Sequence, residues 1–320
     1  MKRIIVTVGP SVLGERCSLT DIDRPGNIYR INGAHGAVEE IRKKVKTVRD
    51  ALPDAELLLD LPGNKVRLGI IPAPIELRMG ETFTVSPDLL NFPDFHKHLK
   101  IGDTVWANDS VFKFTVDEIK DGDIRFRSDS EGLLISGKGL HVRGVSSGLP
   151  FLFERDLRLL DIANELKIDN IGLSFVRTAE DVLLVREKAA PGLRLIPKIE
   201  TKAAVDNINA ILKTAETFLL DRGDLSSDVG IEKIPAYQRF ILEKAGFFNR
   251  RIFLATQFLK NMETHPIATI AETIDLYNTL KTGVYGIQLS EETAIGKYPA
   301  ECLRVIDAIQ KEIELEEMTS

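Results

Sequence analysis

Two short stretches about two dozen residues apart concentrate the side chains that can do chemistry: Lys198-Ile-Glu200 and Asp221-Arg222-Gly223-Asp224. Each follows an apolar run, Leu193 to Ile196 and Phe218 to Leu220, that reads as a buried strand. A lysine and a carboxylate therefore stand at one strand end, and two carboxylates and an arginine at the next. Buried charges are costly unless paired with each other or with a ligand or metal. One or two carboxylates plus substrate oxygens commonly hold Mg2+ or Mn2+, which makes Glu200 and Asp224 candidate ligands. Lys198 is either a cation for a phosphoryl or carboxylate group or an acid–base group with a lowered pKa. Gly223-Asp224-Leu225 could open a short helix whose N–H groups suit a carboxylate or phosphate. The competing reading is a structural ion-pair cluster, since such networks also gather charge.

The elements that position these groups alternate along nearly the whole chain. Apolar runs at Ile4–Val8, Asn27–Ile31, Glu56–Asp60, Asn170–Ser174, Leu193–Lys198, Thr217–Asp221, Ile252–Thr256 and Gly283–Leu289 read as strands. Helical spacing predicts helices over Val38–Leu52, Glu154–Leu166, Thr178–Ala189, Lys202–Thr214, Ala236–Ala245, Thr269–Lys281 and Pro299–Ile313. Thr178 with Asp181 three residues on is close to a capping box. Between Gly69 and Gly144 the texture changes to short alternating segments separated by turns such as Met79-Gly80-Glu81 and Asp121-Gly122-Asp123.

Eight strands, most followed by a helix, predict an α/β fold: a (β/α)8 barrel formed by residues 1–68 and 145–320, with a small β-barrel or meander inserted over 69–144. An open doubly wound sheet is the runner-up, but no glycine fingerprint for a dinucleotide follows any strand. Barrel chemistry sits at the C-terminal strand ends. Those ends carry Thr7, Arg30 and Asn32, Asp60, Ser174, Lys198 and Glu200, Asp221 and Asp224, Thr256 and Gln257, and Ser290 with Glu292. Random strand ends would not be polar at nearly every position, so the cluster belongs to a ring.

Composition narrows the class. The 320 residues are 43% hydrophobic and 28% charged, ordinary for a globular protein. A net charge of −6 argues against a nucleic-acid footprint, though not against local phosphate pockets. Two distant cysteines, Cys17 and Cys302, fit a reducing compartment. No stretch approaches the about 18 apolar residues of a membrane span, so no membrane partner and a cytoplasmic location are expected. No Walker loop, Ser-His-Asp spacing or His-Glu-x-x-His is present. A divalent metal with several cations and no nucleophile suggests charge stabilisation of a phosphoryl group or enolate. Guanidinium forks suit phosphate, but taken singly Arg30 and Arg67 read first as ordinary surface or salt-bridge arginines, and His35 reads as a hydrogen-bonded structural histidine.

The chain resembles pyruvate kinase. The runs that carry the resemblance are Ile5–Ser11, Arg30–Gly36, Leu58–Gly69, Leu173–Arg177, Pro197–Glu200, Arg222–Leu225, Ala255–Gln257, and Leu289–Ala294 with Gly296-Lys-Tyr-Pro. They stay in family order, and 69–144 falls where the family carries its β-barrel lid. The resemblance implies phosphoryl transfer between phosphoenolpyruvate and ADP with Mg2+ or Mn2+. It implies that Lys198 works at the phosphoryl and proton transfer, that Glu200 and Asp224 hold the metal, and that Arg30 and Arg67 contact phosphates. Thr256 would lie beside the enolate, with Gly223, Arg222, Ser174, Ser290 and Glu292 on the substrate side. Asn32, His35, Pro10 and Lys138 would serve the nucleotide, lying under the 69–144 lid. Two other classes stay open: a metal-dependent enolate or 2-keto-acid enzyme (a lyase, or a kinase with another acceptor), and a non-catalytic binding or regulatory homologue.

Departures from the family pattern add expectations. The usual C-terminal domain has no counterpart in the sequence, so its regulation is expected to be missing, and a homo-oligomer stays one open assembly state. In the monovalent-cation region Asn32 and Asp60 fit, but Ala34 and Leu61 replace the serine and threonine. Lys65 stands where potassium-dependent members have glutamate, so no potassium requirement is expected. Pro62 replaces a lysine, Asp221 an alanine, Glu291 a glycine and Glu40 a tyrosine. The last three add negative charge and, if they face the pocket, weaken ADP binding.

Overall fold

A computed structural model describes residues 2–14, 17–107, 111–142 and 148–319. Eight strands, Arg3–Thr7 (β1), Ile28–Asn32 (β2), Glu56–Leu61 (β3), Asn170–Leu173 (β4), Arg194–Ile199 (β5), Thr217–Asp221 (β6), Arg251–Ala255 (β7) and Gly286–Leu289 (β8), form a closed barrel. Every neighbouring pair is parallel, and β8 returns to β1. A parallel sheet covered by helices is buried on both faces, which is why these strands are continuous apolar runs rather than alternating ones. The barrel interior is filled by side chains from six strands, including Ile5, Ile28, Leu58, Ile196, Leu219 and Phe253.

The helices and strands follow the predicted pattern with two informative differences. The expected helix over 202–214 breaks into Lys202–Asp206 and Ile208–Ile211. Asn207 leaves helical geometry (φ −98°, ψ 12°) and donates its side-chain amide to the Arg177 carbonyl. The last strand starts at Gly286 rather than Gly283, because Gly283 takes φ +82°, a turn conformation that glycine adopts without strain. Thr178 and Asp181 do form a capping box, and Thr269 with Glu272 forms a second. Among the described residues no helix is long and apolar enough to cross a membrane.

The chain divides into two compact units, Met1–Pro62 with Glu154–Ser320, and Gly63–Phe153. The sequence-based boundary at 144/145 lies outside the described residues. The second unit is a curled six-stranded antiparallel sheet, from Val66–Arg67 through Gly139–His141, Thr104–Ala107, Phe112–Lys120 and Asp123–Ser128 to Thr82–Val85. A two-stranded sheet, Ile75–Leu77 with Gly132–Leu134, accompanies it. Its own core centres on Phe114 and Phe126, with Phe83 packed edge-on against Phe114 at 4.9 Å between ring centroids.

Candidate active site

The C-terminal ends of the barrel strands bring the predicted charges together. Lys198, on β5 and 5% exposed, lies 3.1 Å from Glu200 Oε2, 3.7 Å from Asp60 Oδ2 and 3.9 Å from Asp221 Oδ2. Burial alone would lower its pKa, but the three carboxylates outweigh that and hold it well above the ordinary lysine value. Of the two roles open to Lys198 from sequence, this geometry fits the fixed cation, because the three carboxylates outweigh the lowering effects of burial and Arg30. Arg30, on β2, donates from Nε and Nη2 to Asp60 Oδ2 (2.9 and 2.6 Å) and from Nη1 to Thr7 Oγ1 (2.9 Å). Those contacts use three of the five N–H bonds that a guanidinium carries. Asp60 is held below the usual carboxylate range: burial pushes it up, but Lys198 and Arg30 pull it further down.

Glu200 behaves in the opposite way. It is fully buried, and burial together with Asp224 and Asp221 raises its pKa against the pull of Lys198. Its Oε1 accepts the Phe175 N–H at 2.7 Å, while Oε2 has the Lys198 ammonium 3.1 Å away as its ionic partner. Asp60 Oδ1 is buried without a hydrogen bond. Among the described residues four carboxyl groups, Asp60, Glu200, Asp221 and Asp224, thus stand with two cations, Lys198 and Arg30. Glu200, Asp221 and Asp224 each offer an oxygen within 4.8 Å of the others. Hard carboxylate oxygens on three neighbouring acids, with acids outnumbering cations, fit a divalent Mg2+ or Mn2+. Asp221 thereby joins a set that sequence reasoning limited to Glu200 and Asp224.

Local backbone geometry serves the same place. Phe175, Thr256 and Gln257 have positive φ (57°, 84° and 59°) and lie just beyond the ends of β4 and β7. Such conformations cost on the order of 1–3 kcal/mol each for residues with a Cβ, and they cluster at functional sites. The turn at Phe175 aims its N–H at Glu200. Thr256 donates its hydroxyl to Asp221 Oδ1 at 2.5 Å. Asp221 also caps the helix Arg222–Val229, its Oδ1 accepting from Gly223 N–H at 3.1 Å and Asp224 N–H at 3.4 Å. Gly223 leaves no room for a side chain, since a Cβ there would stand 2.8 Å from Thr256 Cγ2.

The other predicted residues have partners of their own. Arg222 turns to Asp275 (2.8 Å) and the Thr256 carbonyl (2.6 Å), with its guanidinium 4.2 Å from the Phe258 ring centroid, so it clamps the loop after β7. Ser174 is buried beside the Phe175 turn. Ser290 donates its N–H to Glu292 Oε2 at 2.7 Å. Glu292 is raised by burial and groups with Glu263 and Glu291 around Lys260. Glu291, the family's glycine, is therefore exposed in a second acidic group rather than one of the Lys198 carboxylates. Asn32 Oδ1 accepts the Ala34 N–H, His35 and Pro10 are exposed, and Glu40 is exposed beside Gly36. In the inserted unit, Arg67 donates Nη1 to the Gly137 carbonyl at 3.3 Å, Lys138 is half-buried, and the Lys65 stem lies over Gly139.

Two residues that sequence reasoning passed over shape the site. Gly172, opposite Asp60 in the β3–β4 pairing, leaves space for the Asp60 carboxylate; a Cβ there would collide with Oδ1. A glycine inside a strand was the available signal. Arg155 donates Nε to the Gly33 carbonyl and Nη2 to the Gly36 carbonyl, both at 2.7 Å, and so holds the loop that follows β2. No sequence pattern marks it.

The comparisons with known proteins agree with this geometry. The sequence model described as "Pyruvate kinase, barrel domain" matches residues 1–303. A pyruvate kinase of Thermococcus litoralis is 34% identical over 98% of this chain and 69% of its own length. One of Thermotoga maritima is 29% identical, with 98% and 71% covered. One of Bacillus licheniformis is 33% identical, with 96% and 56% covered. A family match that spans both the barrel strands and the inserted sheet leaves one assignment: this chain belongs to the pyruvate kinase family.

Proposed function

We propose that the chain catalyses phosphoryl transfer between phosphoenolpyruvate and ADP, giving pyruvate and ATP, with Mg2+ or Mn2+. The observation that supports this best is the buried Lys198 ammonium, fixed among carboxylates beside Arg30 at the barrel's catalytic end. The N–H groups of Arg30 beyond its Asp60 and Thr7 contacts suit a phosphoryl oxygen. Lys198, kept cationic by its neighbours, stabilises negative charge that develops on the enolate oxygen and screens the three acids that flank it. Thr256 brings a hydroxyl proton to the same place. Glu200 and Asp224 would hold the divalent cation, which supplies charge neutralisation at phosphoryl and enolate oxygens. Burial of Lys198 and Glu200 keeps water out and strengthens each of these contacts.

A coupled lactate assay with phosphoenolpyruvate, ADP and Mg2+ tests the reading. Turnover that vanishes in Lys198→Met supports it, and absence of turnover in the unaltered protein refutes it. We also infer that potassium is not required, because Ala34 and Leu61 lack the hydroxyls of the family's cation site and Lys65 stands in for the positive charge. Activation by K+ over a choline control would refute that. One observation favours a second reading, an enolate or 2-keto-acid enzyme with another acceptor: Asp221 adds a carboxylate beside Lys198 that the family pattern lacks. Turnover of a 2-keto acid with metal but without nucleotide would select it.

A further inference from the structure

We propose that Asp221 is a specificity-determining residue, a built-in competitor for the carboxylate of the substrate. The inference rests on the reading that phosphoenolpyruvate or a 2-keto acid binds beside Lys198. Such a ligand brings its own carboxylate, which needs hydrogen-bond donors near the metal acids. The end of β6 supplies the donors of a carboxylate receptor: two N–H groups in the first turn of the helix Arg222–Val229 and a threonine hydroxyl from the end of β7.

All three of those donors already converge on one oxygen. Asp221 Oδ1 accepts the Thr256 hydroxyl at 2.5 Å, the Gly223 N–H at 3.1 Å and the Asp224 N–H at 3.4 Å. Each donor has a single proton, so an incoming carboxylate can take it only by displacing the aspartate. The receptor cannot slide aside to serve both, because the Gly223 backbone is packed against Thr256, whose own backbone is held at φ +84°.

Charge acts in the same direction. Asp221 Oδ2 stands 3.9 Å from Lys198 Nζ and shares the attraction of that ammonium with Asp60 and Glu200. Glu200 Oε2, fully buried and 3.1 Å from the same ammonium, draws on it too, and its carboxylate lies within the same group of acids. A substrate carboxylate would enter beside an aspartate whose own charge repels it and already draws on Lys198. The chain therefore discriminates against anionic groups at this point, and its apparent affinity for a carboxylate ligand is set by how readily Asp221 gives way.

Calorimetric titration with oxalate, a planar mimic of enolpyruvate, in saturating Mn2+ tests this without needing turnover. Asp221→Ala is expected to bind oxalate at least tenfold tighter than the unaltered protein. Asp221→Asn retains the helix cap and loses the charge, and is expected to bind about threefold tighter; it also serves if the alanine variant does not fold. Unchanged or weaker oxalate binding in both variants overturns the proposal. If Mn2+ binding alone also falls tenfold or more, Asp221 is a metal ligand instead; if only thermal stability falls, it is a helix cap. A tighter oxalate complex in a variant that still turns over no phosphoenolpyruvate keeps this inference and rejects the phosphotransfer reading.

Discussion

The two ends of the barrel carry charge clusters of similar size and opposite character. At the N-terminal end, Glu56 opens β3 and takes donors on both oxygens. Arg3 reaches Oε2 at 2.5 Å, while Asn170 and Arg194 reach Oε1 at 2.9 and 2.7 Å. Arg3 and Arg251 also lie over the Tyr285 ring, at 5.8 and 5.0 Å from its centroid. At the C-terminal end, acids outnumber cations among the described residues, and Asp60 Oδ1 is buried without a hydrogen bond. In the first cluster both Glu56 oxygens have donors; in the second a buried carboxylate oxygen has none. Charge at a strand end is therefore weak evidence for chemistry; unsatisfied charge at a strand end is much stronger.

The largest effect expected from this contrast is on turnover. Lys198→Met should lower kcat in the coupled lactate assay about 10³-fold, the scale for removing a preorganised charge from a developing oxyanion. Glu56→Gln should leave kcat within about twofold, since it acts on stability at the opposite end. Equal kcat in the two variants would erase the distinction between the ends.

Metal affinity should separate the ends next. Glu200→Gln removes one hard anionic ligand and should weaken Mn2+ binding about 10–100-fold by calorimetry. Glu56→Gln should not alter it. Comparable losses in both variants would mean that the acidic group at Glu200 is no more a metal site than the arginine-paired Glu56.

The same contrast explains how far the sequence could be read. The strands were legible because a buried parallel sheet demands apolar runs, and Leu57 to Leu59 or Phe218 to Leu220 admit little else. Lys198, Glu200 and Asp224 were legible because a charge directly after such a run has nowhere apolar to go. The direction of each side chain was not. Arg222 is one residue from Asp221, yet it turns out to Asp275 while Asp221 turns in to Thr256. Sequence position cannot distinguish those rotamers, because the deciding partners of Arg222 come from a loop and a helix 34 and 53 residues away. The helix break at Asn207 escaped for a related reason: the Arg177 carbonyl that holds it is 30 residues distant.

The smallest expected effect, and the one with a definite sign, is the pH dependence of stability in metal-free protein. For Glu56 burial raises the pKa, but Arg3, Asn170 and the nearby guanidinium charges outweigh it, and the folded value is lowered. Its contribution is therefore present above the unfolded carboxylate value and is lost as pH falls through the folded one. For Glu200 burial and the acids Asp224 and Asp221 raise the folded value to about 8. Its contribution is present below the unfolded value and is lost as pH rises toward and through about 8. Urea unfolding should thus show Glu56→Gln less stable by about 1–3 kcal/mol at pH 7, with the deficit shrinking toward pH 3. Glu200→Gln should instead lose less stability than the unaltered protein between pH 6 and pH 9, and saturating Mn2+ should flatten the loss in the unaltered protein by favouring the carboxylate. Parallel pH profiles for the two variants would show that both ends of the barrel are structural ion-pair networks.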